Sequence, residues 1–247
     1  MRAACLAAAA LAMIGAVQLY RAHIEARLLR SDPESLPTDA AMMQFARAPG
    51  RQLYEAHCAS CHGLAGGGDT ARGVPALNDA DWLYGSGSVA DIERVIDYGI
   101  RSYHPKAWNL AVMPAYARPQ PSTRESRLEP LSPGEIRDVV EYLWARQGRD
   151  ADVEAARRGA QVYAGRGGCY DCHAPDAQGD SAIGAPNLTD RITLYGDGSR
   201  EALALSVAYG RQGVCPAWTG RLRAADIREL ALYVYSLSHT RRRHVEG

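Results

Sequence analysis

An all-α fold of two tandem domains is what this chain predicts, and three observations carry the prediction. The pentapeptides CASCH and CYDCH begin at Cys58 and Cys169, 111 residues apart. The chain that follows each motif repeats at that same offset, with GVPALNDADWLYGSGS at 73–88 lying over GAPNLTDRITLYGDGS at 184–199. Apolar residues recur at helical spacing near the end of each half, and no alternating strand pattern is visible.

The pentapeptide explains what each domain is built around. Two thiols three positions apart stand about one helical turn from each other, so both can add to the two vinyl groups on one edge of a porphyrin. The next residue then projects over the ring as an axial iron ligand. Cys58, Cys61, Cys169 and Cys172 are thus expected to hold two covalent haems c, with His62 and His173 as proximal ligands. A structural zinc site needs its second cysteine pair within a few tens of residues, and a redox CxxC pair predicts neither the histidine nor the repeat. Only one Phe occurs in 247 residues. A porphyrin, itself a large flat apolar body, fills that deficit at the centre of each domain.

The elements follow in order. Residues 3–20 carry no charge and are followed by Arg21, Arg27 and Arg30. Haem attachment generally takes place outside the cytoplasm, so an export signal is expected here, and residues 1–30 are read as a signal anchor with juxtamembrane segment, a cleaved signal remaining open. Residues 31–47 are read as a linker and 48–148 as the first haem domain. Residues 148–152 join it to the second, 153–240, and 241–247 form a basic tail. Each half opens on a helix, at 52–62 and 155–163, has a middle helix at 89–98 or 200–209, and closes on another. Ile136, Val139, Val140 and Leu143 mark one closing helix, and Ile227, Leu230, Ala231 and Val234 the other. A Pro-, Arg- and Ser-rich insertion at 118–129 belongs to the first half only and reads as a surface loop. Equal numbers of basic and acidic residues, 28 each, give no sign of a nucleic-acid partner.

Each proximal histidine leaves one iron position to be filled. Met113, in a loop and stiffened by Pro114, is the expected sixth ligand of the first haem, with His104 as the competitor. The second half has no methionine after its motif; MPAY at 113–116 corresponds to CPAW at 215–218. Cys215 therefore takes the ligand position of the second haem, where a thiolate would stabilise ferric iron and lower the potential. His239, or an otherwise-ligated haem, is the alternative.

GxPxLxDxxxLYG after each haem motif, GIRSYHPKAWNLAVMPAY in the first half and GRQGVCPAW in the second resemble the dihaem cytochrome c subunit of cbb3-type cytochrome c oxidases, over about 50–238. The resemblance implies two class I cytochrome c domains on an N-terminal membrane helix at the periplasmic face of the bacterial inner membrane. It also implies single-electron relay, without catalysis of its own, from an upstream cytochrome or quinol-oxidising complex toward the catalytic subunit of a terminal oxidase. The family's axial Met of the second haem is Cys215 here. Two other readings stay open: a free-standing dihaem carrier, and a haem enzyme resembling thiosulfate dehydrogenases, which work at a Cys-ligated haem.

Overall fold

The computed structural model describes the backbone of residues 2–119 and 129–245 and the side chains of 10–119 and 129–239. The expected surface loop at 118–129 falls mostly outside these residues. The described chain is helical, with isolated β-bridges and no strand. Helix α1 spans Arg2–Arg30 and a 3-10 helix Pro33–Thr38; then come α2 (Ala40–His57), α3 (Ala59–His62), α4 (Val89–Tyr98), α5 (Pro133–Arg146), α6 (Val153–Ala164), α7 (Tyr170–His173), α8 (Arg200–Tyr209) and α9 (Ala224–Val245). Side-chain oxygens fix the starts. Asp39, Ser88, Asp152 and Ser199 accept from the first free N–H groups of α2, α4, α6 and α8, and Ser132 with Glu135 forms a full capping box on α5.

Residues 31–47 are not the linker expected of them. Asp32 caps the 3-10 helix, and Leu36, Met42 and Ala46 are buried in one cluster with Leu28 of α1. The reason lies in spacing: Met42, Ala46, Gly50 and Tyr54 form one continuous buried stripe along α2 at intervals of four. Burying Leu36 and Met42 contributes about 1.5–3 kcal/mol each toward holding the segment on the core. The basic residues from 241 likewise continue the backbone of α9 as far as Val245.

Among the described residues the most extensive helix pairings cross between the halves. The opening helix α2 of the first half packs on α9, which closes the second, and α6, which opens the second, packs on α5, which closes the first. Middle helices follow suit, α4 against α9 and α8 against α5. Two apolar clusters result. One gathers Leu36, Tyr54, Val89 and Ile92 with Trp218, Ile227 and Leu230; the other gathers Ile136, Val139 and Leu143 with Tyr163, Ala177 and Val207. Each crossing is made at a glycine. A Cβ on Gly50 would overlap the Glu229 carbonyl of α9, and one on Gly159 the Asp138 carbonyl of α5. Arg228, 7% exposed, ties α9 to its neighbours, donating to Glu93 at 2.6 Å and to the Leu28 carbonyl at 3.1 Å.

Glu229 stands at this crossing fully buried, and neither of its carboxylate oxygens has a hydrogen-bond partner. Arg21 and Glu25 of α1, Gln52 of α2, Arg223 just before α9 and Asp226 on it are the polar groups around it. Burial pushes its carboxyl from the ordinary 4.5 up to about 7. The unfolded chain therefore ionises this group from about pH 4.5 upward, whereas the folded chain resists until about pH 7. The resulting penalty is absent below pH 4.5, grows between the two values and is constant above, at about 3 kcal/mol. Glu229→Gln should leave the urea midpoint unchanged at pH 4.5 and raise it at pH 8; equal midpoints at both pH values would refute the assignment.

Candidate haem sites

The two CxxCH segments are built alike. Cys58 ends α2 and starts the single turn of α3, so that the His62 N–H donates to the Cys58 carbonyl at 2.9 Å; His173 repeats this bond to Cys169 at 2.9 Å. A tyrosine from the opening helix fastens each turn: Tyr54 Oη donates to the Gly63 carbonyl and Tyr163 Oη to that of Ala174, both at 2.7 Å. The following loop folds back, with Gly68 N–H on the His62 carbonyl and Gly179 N–H on that of His173, both at 2.9 Å.

That loop brings a proline carbonyl to each imidazole. His62 Nδ1 lies 2.9 Å from the Pro75 carbonyl, and His173 Nδ1 lies 3.0 Å from that of Pro186. A carbonyl only accepts, so Nδ1 carries the proton and Nε2 presents a lone pair. Burial, the dominant effect, lowers the pKa of both rings and keeps them neutral, as an iron ligand must be. None of Cys58, Cys61, Cys169 and Cys172 is paired in a disulfide, so all four sulfurs are available for thioether bonds. Among the described residues no group of three or more His, Cys, Asp or Glu could hold a metal ion by itself, which fits a porphyrin-borne iron and not a zinc site. The donor set, the oriented Nε2 atoms and the apolar clusters behind both cysteine pairs fit two haems c.

The far side of each site departs from expectation. The sequence reading assigns Met113 to the first haem and Cys215 to the second; the fold seats Met113 in the cluster of the second motif and pairs Cys215 with Ile100 of the first half. Met113 packs with Tyr116, Cys169 and Leu188 in the second cluster. Cys215 bridges Ile100 of the first half, and Trp218, three residues on, is buried in the first cluster, against which Cys58 packs, with its ring tilted against His57 at 4.6 Å. Backbone pairing fixes the exchange: Cys215 N–H donates to the Ile100 carbonyl at 2.9 Å and Trp218 N–H to that of Ile96 at 3.0 Å, while Tyr116 N–H donates to that of Val207 at 3.1 Å. Burial raises the Cys215 thiol to about 11, so a thiolate there calls for a cationic partner.

Both competing histidines are engaged by their own chain neighbours. His104 stacks on Tyr98 at 4.8 Å and accepts from Lys106 N–H. His239 stacks on Tyr235 at 3.8 Å with Nδ1 engaged by Ser238 and the Tyr235 carbonyl. It rides on α9, which serves the first cluster and not the second. The signal for the exchange was available in the connection between α5 and α6. Residues 147–152 are too few to carry the chain past a neighbour, and helices joined so closely pack on each other.

Two haem sites of this build, each between crossed helices, define a c-type cytochrome with two haems. The family comparison agrees: residues 47–147 match the family described as cytochrome c, and residues 154–234 that described as cytochrome C oxidase, cbb3-type, subunit III. The cbb3-type cytochrome c oxidase subunit FixP of a Bradyrhizobium species is 38% identical over 86% of this chain and 68% of its own length. Subunit CcoP of Rhodobacter capsulatus is 38% identical over 87% and 70%, and FixP of Azorhizobium caulinodans 35% over 91% and 71%. The chain belongs to this CcoP/FixP family of dihaem oxidase subunits.

The exchange has a measurable consequence. A chain ending at Gly148 keeps CASCH but lacks Trp218, Leu230 and the rest of α9 that cover it. It should show no cooperative thermal transition by circular dichroism, and adding residues 149–247 as a second chain should restore one. Cooperative melting of the first fragment alone would mean that α5 closes its own half.

Proposed function

We propose that this chain relays single electrons through two covalent haems c to the catalytic subunit of a cbb3-type terminal oxidase. The observation that carries the reading is the duplicated CxxCH turn with its histidine held by a proline carbonyl, in a chain whose relatives are subunits of that oxidase. Bound there, each haem supplies reversible one-electron chemistry at iron, and the chain tunes it through axial ligands and burial. No residue is assigned to bond-making with a substrate.

In this reading His62 and Cys215 hold one iron and His173 and Met113 the other. Support comes from Cys215 lying beside the first cysteine pair and Met113 beside the second. A thiolate donor stabilises the ferric state, so the haem on His62 has the lower potential. His62→Ala should abolish the thiolate-type low-spin resonance and keep the His/Met one; the reverse result would put Cys215 on the second haem. Cys215→Met should raise the lower of the two potentials and leave the upper nearly unchanged, as a redox titration reads directly.

Helix α1 is assigned to tether the chain at the periplasmic face of the inner membrane. Among the described residues no helix is long and apolar enough to cross a membrane. The tether rests instead on the uncharged run 3–20 and on Leu11, Ile14, Val17 and Leu19, which α1 leaves exposed. Fractionation tests it: full-length protein should sediment with membranes and co-purify with a copper- and haem-containing partner, and the chain lacking residues 1–30 behind a cleavable signal should remain soluble with both haems. A full-length protein found free of membranes and partners would favour the free-standing carrier.

A further inference from the structure

The motif GxPxLxDxxxLYG occupies 73–85 and 184–196, and the haem sites account for its proline alone. Its glycines and tyrosine meet across the boundary between the halves. Gly73 and Gly184 have φ of +68° and +76°, and a Cβ on either would overlap a tyrosine ring of the other half, Tyr195 at Gly73 and Tyr84 at Gly184. The glycine after each tyrosine ties the same segments through the backbone. Gly196 N–H donates to the Thr70 carbonyl at 2.9 Å, and Gly85 N–H to that of Ser181 at 3.0 Å. An arginine of its own half sits over each ring, Arg211 at 4.3 Å from Tyr195 and Arg101 at 5.8 Å from Tyr84. Trp108 adds an edge contact to Tyr84 at 5.6 Å, and its Nε1–H donates to the Ala182 carbonyl at 2.6 Å.

What each ring grips is the segment that orients a ligand. Gly73 stands two residues before Pro75, in a loop closed by the Asp69–Val74 bridge, and the Pro75 carbonyl holds His62; Gly184, the Asp180–Ala185 bridge, Pro186 and His173 repeat this. Partners of a ligating histidine set its orientation and basicity, and through them the potential of the metal. We propose that Tyr84 and Tyr195 are reciprocal positioning residues for electron transfer between the haems, each setting the proximal loop and histidine of the half to which it does not belong. Simple packing would require neither the bare glycine beneath each ring nor its repetition in both directions. The inference rests on both haems being carried as proposed, which intact mass reports separately from the potentials.

The test uses the full-length dihaem protein carrying Tyr84→Leu or Tyr195→Leu, with each haem assigned by the resonance lost in His62→Ala or His173→Ala. With both haems attached, Tyr195→Leu should shift the potential of the haem on His62, and Tyr84→Leu that of the haem on His173. The rate of electron exchange between haems after flash reduction should fall severalfold in both, and the Phe variants should match wild type in every measurement. Wild-type potentials and rates in both Leu variants, or each variant shifting only the haem of its own half, would overturn the proposal. Should the Leu variants fail to accumulate, Tyr84→Met and Tyr195→Met, which keep more of the volume, are read the same way. Failure of those as well, beside normal Phe variants, would reduce the tyrosines to packing and overturn it too.

Discussion

The crossing of α2 over α9, and its counterpart of α6 over α5, closes both haem sites, and each depends on one missing side chain. At Gly50 and Gly159 the helix backbones approach so closely that any Cβ would meet the partner's carbonyl. Close backbone approach at a glycine lets the flanking side chains interdigitate around it, here Tyr54 with Tyr233 at 5.4 Å and Tyr163 with Tyr142 at 5.1 Å. Those tyrosines in turn fasten the CxxCH turns through Gly63 and Ala174. One contact thus sets the helix pair, the anchoring hydroxyl and the placement of the proximal histidine in sequence.

Much of this was legible in the sequence, for identifiable reasons. The attachment residues follow from thiol spacing, which porphyrin geometry imposes, and the middle helices α4 and α8 from their serine caps and terminal glycines. The partnering of the closing helices was not legible from pattern, because the repeat itself removes the information. Ile136 to Leu143 and Ile227 to Val234 present equivalent apolar stripes, so either closing helix can cover either opening helix. Only chain connectivity, six residues between α5 and α6, breaks the tie. The same degeneracy extends to Met113 and Cys215, whose backbone neighbourhoods at Arg211 and Ile100 are near copies.

Buried polarity is distributed unevenly across the molecule. Arg228 finds Glu93 and two carbonyls, and the histidines find prolines, whereas Glu229 finds nothing. An unpaired carboxyl inside a helix crossing is costly when ionised, so the first site rests on a neutral acid while the matching crossing at Gly159 has its acid, Asp138, paired with Arg158 at 2.8 Å. The two halves therefore share a plan and differ in electrostatic support.

The exchange of closing helices also imposes a schedule on how the molecule matures. A chain made from its N-terminus presents Cys58 long before residues 224–245 exist to pack in the same cluster. Through that interval the first pair of thiols stays open to thioether formation, and the second motif is made before the cover of the first arrives. The helix that covers the first site is made after the whole second motif, whereas α5, which covers the second, is made before it, so the two sites gain their covers in the reverse of the order in which their motifs are made.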